Sequence, residues 1–513
     1  MSYSMHLSLL LTTLLTPPAE HHPEGASPPA PQPDLHDLAA AALQQIKDLI
    51  EQFRQQPLSP ARTHRFEQQL QEHLRELGRQ LTQWTYNHLE PADVAELATH
   101  VHFEAGPYTR LHSKTPQNAW TLFGQVRLWR VGYRPSDHSS DPTIFPLALS
   151  LGLVQGASPA LADRAARLLA GAGMTQQRAL QRLRQDHGVG WGVKKLRQVT
   201  EAVSQRLAQQ RQPAQAERLL AWLGQAAAGT GRHKPVLSVG RDGITLGLRC
   251  KGGSLYEVAS TATVSVLDRR GRRLGTVYLA YTPESGQPTM GRELTGLLRE
   301  VLRRWQGPLP RLCYVSDAGD NETGYYQRVL RRLKHPRTGE RLEWLRVVDY
   351  YHASERVWAL GELLFGKGRA AWSWSRKMQK WLLKPGGVNR VLHSAAAYRD
   401  RYGLKGNKLQ EFRKAYAYLR RRMRHMRYAE YRRLGVPLGS GVTEAGCKTI
   451  YTQRLKLSGM RWQKAGAQTI LNLRVVELSG VWDQAFQATL ANVTEVHVRG
   501  SQAGPAECPR KAG

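Results

Sequence analysis

The sequence predicts a multidomain α/β protein: a mixed-sheet core carrying an all-α insertion, preceded by helical and helix-turn-helix-like regions. Three observations predict it. The chain has 513 residues, more than one hydrophobic core usually organises, so about two to four domains are expected. Apolar residues make up 41% of it, enough to bury real cores. Finally, the hydrophobic period changes along the chain, from three-to-four spacing to alternation and back again.

The elements follow in chain order. Residues 1–34 read as a tail and linker. Met5–Leu15 is apolar, but no Lys or Arg precedes it and no small-residue cleavage site follows, so a tail is expected and not a signal peptide. Residues 16–34 are rich in Pro and Gly. Residues 35–98 read as a helical hairpin. Leu35, Leu38, Ala42, Ile46, Leu49 and Phe53 form one stripe, Phe66, Leu70, Leu74, Leu77, Leu81 and Trp84 another, and Pro57 and Pro60 break the chain between them. Such a hairpin serves dimerisation as readily as packing. Residues 99–155 read as a small β-like region, with Val126–Tyr133 its clearest strand.

In 156–230 three short basic helices are expected. Ser158-Pro159 and Thr175 start two of them, Gly171, Gly173 and Gly188–Gly192 separate them, and Lys194, Lys195 and Arg197 lie on the third. The pattern fits a helix-turn-helix DNA reader, and an ordinary helical bundle fits it too. Residues 231–352 turn to strands. Val236–Val239 is a buried run ending at Asp242, and alternation follows at Ile244, Leu246 and Leu248 and within 256–267 and 274–281. A helix from Thr289, a strand Arg311–Ser316 ending at Asp317, a helix over 322–333 and a strand Trp344–Val348 ending at Asp349 complete a mixed sheet with helices on its faces. Residues 353–438 read as an α-helical insertion, 439–485 as C-terminal helices of the core, and 486–513 as a tail.

The charge is the loudest global feature. There are 73 Lys and Arg against 41 Asp and Glu, a net +32. A surface so positive attracts polyanions, of which nucleic acid is the commonest. No basic amphipathic helix or long apolar span dominates, so no membrane partner is expected. The cysteines Cys250, Cys313, Cys447 and Cys508 are far apart, which suggests neither disulfides nor zinc and fits a reducing, cytoplasmic setting.

Asp242 and Asp317 stand 75 residues apart, each expected at a strand end, where ligands of open α/β sheets sit. An Asp there is commonly only a turn former. Two facing carboxylates, however, repel and call for a cation, and oxygen donors suit Mg²⁺ or Mn²⁺. Two such ions can clamp the attacking and leaving oxygens of a phosphodiester. A third ligand is expected after the insertion, where Gly439–Lys448 enters a helix carrying Glu444. Lys448, one turn on, would meet phosphate or pair with Glu444. Upstream, Phe412, Tyr416, Leu419, Met423 and Met426 form a stripe ringed by Arg420, Arg421, Arg422, Arg424 and Arg427. These arginines repel one another unless a polyanion lies alongside. Tyr428 and Tyr431 are candidates for base stacking.

Pro437-Leu-Gly-Ser-Gly-Val-Thr-Glu444, Gln453-Arg-Leu-Lys-Leu-Ser-Gly-Met-Arg-Trp462 and Gly466-Ala-Gln-Thr-Ile-Leu-Asn-Leu-Arg474 together resemble the C-terminal signature of bacterial insertion-sequence transposases of the Mutator-related ISKra type. Asp242-Gly243, Asp317-Ala-Gly-Asp-Asn-Glu and Asp349-Tyr-Tyr-His352 match its earlier elements, the last resembling an Asp-x-x-His motif. The resemblance covers about 230–485, more loosely 100–210. It implies a ribonuclease-H-like fold, a helical insertion and a DDE triad of Asp242, Asp317 and Glu444 binding two Mg²⁺ (or Mn²⁺). It further implies that the protein acts on double-stranded DNA, as element ends and target, in a nucleoid-associated homo-oligomer. Some members carry a cysteine-rich knuckle, whereas 100–150 here has no Cys, so no zinc is expected there.

Asp349 and His352 are accessory candidates. Asp320 and Glu322 would support Asp317 or merely cap a turn. Arg454, Lys456 and Arg461 are candidate phosphate contacts, and Trp462 would stack on a base or pack in a core. Tyrosine recombination is disfavoured because His425-Met-Arg427 has the wrong spacing, and serine recombination because Ser440 sits in the wrong context. A junction nuclease of the same fold and a non-catalytic DNA-binding descendant remain open.

Overall fold

The computed structural model describes residues 34–491, except 105, 138–139 and 251–252, together with 497–498. The Met5–Leu15 stretch, most of the expected N-terminal linker, most of the 486–513 tail and Cys508 lie outside the described residues. The protein is mixed α/β. Its chain divides into two compact units, one holding residues up to Leu169, Met174–Arg206 and those from Gln487 on, the other Ala170–Gly173 and Leu207–Phe486. Among the described residues no helix is long and apolar enough to cross a membrane.

In the first unit the expected hairpin is α1 (Leu35–Gln55) and α2 (Pro60–Asn87). The Ser59 hydroxyl accepts the Arg62 N–H at the start of α2, and Phe53 stacks on Phe66 with ring centroids 4.3 Å apart. The β-like region is an antiparallel sheet of β1 (His100–Phe103), β2 (Gly106–Thr121) and β3 (Gly124–Pro135), with His497–Val498 paired to β1. Helices α3 (Pro146–Ser150), α4 (Pro159–Ala170) and α5 (Gln176–His187) follow, α5 capped by Thr175 and stopped by left-handed Gly188. The third helix departs from expectation. Instead of being short, α6 (Val193–Ala228) runs for 36 residues and passes into the second unit. Buried Leu207, Ala214, Leu219 and Leu223 carry its apolar spacing across Pro213.

The second unit is built on β4 (Val236–Cys250), β5 (Gly253–Leu267), β6 (Arg273–Tyr281), β7 (Arg311–Ser316) and β8 (Trp344–Val348), in the order β6-β5-β4-β7-β8. Strands β4 to β6 are antiparallel neighbours, whereas β7 and β8 run parallel to β4. Beneath one face, Leu237, Val239, Leu312 and Tyr314 pack with Leu219 and Leu223 of α6 and with α7 (Pro288–Arg304). Helix α7 buries Leu294, Leu297, Leu298, Val301 and Leu302, each contributing about 1.5–3 kcal/mol over remaining exposed.

On the other face, Val236, Cys313, Val315 and Val347 pack against the helical insertion. The chain continues through α8 (Asp320–Arg328), α9 (Tyr350–Phe365), α10 (Arg369–Leu382), α11 (Gly387–Tyr402), α12 (Gly406–Arg422), α13 (Tyr428–Leu434), α14 (Gly441–Cys447), α15 (Lys464–Leu478) and α16 (Trp482–Ala491). Two expectations need correction. Strand β4 does not end at Asp242, because β5 pairs with it without interruption out to Cys250. The arginine-rich helix ends at Arg422, and Met423–His425 is a separate 3₁₀ turn.

Candidate active site

Register places the candidate acids. Gly240 of β4 pairs with Val315 of β7, and Val315 with Val347 of β8. Asp242, Asp317 and Asp349 each lie two residues further on. They therefore share one face at one end of three adjacent parallel strands. Beyond Gly240 the β4–β7 pairing stops, so Asp242 stands mid-strand where the sheet opens.

Helix α14 lies over this face. The Thr443 and Thr263 hydroxyls are 2.8 Å apart, and a Cβ built on Gly240 would come within 2.0 Å of Thr443 Oγ1. Only a residue without a side chain lets α14 approach so closely. One turn on, Cys447 Sγ is 3.5 Å from Asp242 Oδ2 and 3.3 Å from Thr261 Oγ1. Glu444 lies between these contacts, in the first turn of α14, with its carboxylate Oε1 2.8 Å from the Ser440 oxygen, whose single proton it shares with Asp349.

Asp349 organises the site from beneath. It is fully buried. Its Oδ1 accepts the N–H groups of Tyr351 and His352, capping α9 at 2.5 and 3.1 Å. Its Oδ2 accepts the Ser440 N–H and, at 2.6 Å, the Ser440 hydroxyl. With both oxygens occupied, Asp349 ties the end of β8 to the starts of α9 and α14. His352 bridges Glu355, 3.1 Å from its Nδ1, and Glu444, 3.8 Å from its Nε2. Burial alone would lower the His352 pKa, but the Glu355 hydrogen bond and the fields of Asp349 and Asp317 raise it.

The carboxylates feel one another. Burial pushes the Asp242 carboxyl above its ordinary range, helped by Asp317 and Glu444 and opposed by hydrogen bonds from Gly243 N–H and Cys447. Glu322 is raised by burial and by the same two aspartates. It is 7% exposed and sits beside Asp317, both carboxylates flanking Gly319. Asp320 is exposed. Among the described residues, no three His, Cys, Asp or Glu side chains gather tightly enough to ligate one ion.

The other candidates divide. Lys448, Lys456 and Arg461 are exposed, as are Arg420, Arg421 and Arg424. Arg420 and Arg421 line a groove with Arg399, Arg413 and Tyr416, of about 560 Å³. Arg427 is paired with Glu430. In the first unit Lys194 and Arg197 are exposed, Arg197 bonding Gln176 at 3.0 Å, and Lys195 is half-buried.

Three expectations fail. Arg454 is fully buried over the Trp462 ring and is no surface phosphate contact. Tyr428 and Tyr431 are core residues, their hydroxyls donating to the carbonyls of Val348 and Arg346, so they are not free to stack on bases. Trp462 is half-buried, its Nε1 donating to Leu455 O at 2.9 Å.

Sequence reasoning missed Gly240, Ser440 and Cys447. Of these, Ser440 had a signal, since it stands four residues before Glu444 and so shares its helix face. Compared with known proteins, the chain matches no protein-family model and no curated sequence.

Proposed function

We propose that this protein is a DNA transposase that cuts and rejoins DNA by a DDE mechanism, with Asp242, Asp317 and Glu444 as metal ligands on a ribonuclease-H-like core. The observation that carries the reading is that Asp242 and Asp317 each stand two residues beyond the last paired position of adjacent parallel strands, with Glu444 on the helix packed over the same face. The sheet order and the helical insertion between β8 and α14 support it too.

The donor set fits Mg²⁺ or Mn²⁺, being hard carboxylate oxygens, with Asp242 partly buried and its carboxyl raised by Asp317 and Glu444. Asp317 is steered through Oδ1 by Gly319 N–H, and Glu444 sits with Oε1 against the Ser440 oxygen, which leaves the second oxygen of each for a ligand. Two bound ions would activate water or a 3′-hydroxyl and stabilise the leaving oxygen. His352, with Nε2 3.8 Å from Glu444 Oε1, would help position Glu444 and, when protonated, offset its charge. Lys448, Lys456 and Arg461 would hold the phosphate backbone, and Arg420, Arg421 and Arg424 a further stretch of duplex. Lys194, Lys195 and Arg197 in the first unit would add end recognition. A homo-oligomer would hold two DNA ends, and a nucleoid location in the cytoplasm follows from the substrate.

The test is nicking of supercoiled plasmid, and joining of linear duplex to it, in Mg²⁺ or Mn²⁺. Both are expected from the full chain, and both should vanish in Asp242→Asn. Turnover that survives Asp242→Asn refutes the assignment. Hydrolysis without joining would mark a junction nuclease of the same architecture instead.

A further inference from the structure

The loop carrying Asp317 holds an unusual backbone. Ala318 is buried and left-handed, with φ +64°, where no glycine relieves the strain. Locally the turn is closed by Ala318 N–H to Ser316 Oγ at 3.2 Å and by Gly319 N–H to Asp317 Oδ1 at 3.0 Å. Its two outward carbonyls are held from about a hundred residues further along the chain. Tyr418 Oη donates to Asp317 O at 2.8 Å, and Arg422 Nη2 donates to Ala318 O at 2.9 Å. Both donors lie one turn apart on α12. The Tyr418 ring is itself fixed between guanidinium groups, Arg356 at 5.2 Å and Arg422 at 4.3 Å from its centroid. Burial pushes the Tyr418 hydroxyl up to about 12, so it stays a protonated donor.

We infer that Tyr418 and Arg422 are positioning residues that hold the strained Asp317–Ala318 turn, and with it the Asp317 carboxylate, in its ligand geometry. The inference rests on the metal site proposed above. Neither residue reaches a reacting atom; both act through the main chain of Asp317. Strained backbone persists only where its surroundings over-determine it, and these two bonds are the determination that comes from the insertion.

The test uses the full chain without DNA and measures Mn²⁺ binding by calorimetry, with peptide-level hydrogen exchange over Ser316–Gly319. Tyr418→Phe keeps the ring and removes the donor. It should weaken Mn²⁺ binding about tenfold, the low end for losing a partner behind a ligand, and speed exchange in the turn. Adding Ala318→Gly should restore most of the lost affinity, because glycine adopts the left-handed backbone without help. A purely structural role would not show that rescue. If Asp317→Asn abolishes binding while Tyr418→Phe binds as wild type, the positioning role is overturned and the metal site stands. If Asp317→Asn binds as wild type, the metal reading fails and the inference falls with it. Loss of binding in Tyr418→Phe without rescue by Ala318→Gly also overturns it.

Discussion

Replacing Gly240 by alanine probes the packing that sets Glu444 over the sheet. The new Cβ would lie 2.0 Å from Thr443 Oγ1, 2.9 Å from Thr263 Oγ1 and 3.3 Å from Thr443 Cβ, where 3.4–4 Å is ordinary contact. Rotating Thr443 relieves the clash only in the rotamer that turns its hydrogen towards the new methyl, since the other brings in its own methyl. Either that rotation breaks the Thr443–Thr263 hydrogen bond, or helix α14 retreats by roughly 1 Å and breaks it too. Overpacking costs about 1–3 kcal/mol and the hydrogen bond about 1 kcal/mol. The stiffer unfolded chain returns roughly 0.4–1 kcal/mol, since Gly240 has an ordinary strand backbone. A net loss of about 1–3 kcal/mol is expected in urea unfolding. Glu444 moves with its helix, and a misplacement of about 1 Å can cost 10²-fold in rate, so Mn²⁺-dependent nicking should fall further than stability alone explains. Thr443→Ala on the Gly240→Ala background removes the worst clash, the 2.0 Å approach of Thr443 Oγ1, and should recover much of both. Additive losses in the double variant, or a Gly240→Ala protein as stable and active as wild type, would refute the reasoning.

Asp349→Asn should lower stability by about 3 kcal/mol, because an amide cannot accept all four hydrogen bonds that the buried carboxylate receives; chemical denaturation measures it. Burial, with Arg346 and Arg424 adding to it, lowers the His425 pKa from 6.5 to about 4. The unfolded chain therefore binds the proton first. Stability from this residue is present above pH 6.5 and lost as pH falls towards 4, by roughly 2–3 kcal/mol after allowing for partial exposure. His425→Gln should flatten that stretch of the stability–pH curve. Replacing Arg420 and Arg421 together with alanine should reduce the slope of log affinity against log salt by about 2 for a duplex of any sequence. An unchanged slope would place DNA elsewhere.

Strands β7 and β8 were legible to the residue because each is a short apolar run that the chain leaves at an aspartate. Asp242 misled. Asp-Gly is a turn signal, yet Gly243 serves cross-strand packing, since a Cβ there would lie 2.6 Å from Val258 Cγ1. The run to Asp242 and the alternation after it are one continuous strand, so the acid sits where the neighbouring strand stops and not where its own does. Only pairing partners carry that information. Tyr428, Tyr431 and Arg454 failed for a related reason. Spacing tells which residues share a helix face, but not which long polar side chains turn inward to satisfy a strand-end carbonyl or cover a ring.

Helix α12 shows why composition alone misread the insertion. Its arginines looked like one polyanion-binding coat, but they serve different faces. Arg422 and Tyr418 point at the Asp317 loop. Phe412, Ala415 and Leu419 are buried in the core beside them. Arg413, Arg420 and Arg421 line the groove shared with Arg399; at 3.6 residues per turn Arg413 and Arg420 fall nearly opposite Tyr418, and Arg421, about 60° from it, stands at the boundary between the two faces. A rigid rod with a clamp on one side and a cationic groove on the other separates two jobs that the sequence runs together. Loss of groove arginines should weaken DNA binding and leave DNA-free Mn²⁺ affinity intact, whereas loss of Tyr418 should do the reverse. The two sets of variants therefore report independently on the two faces.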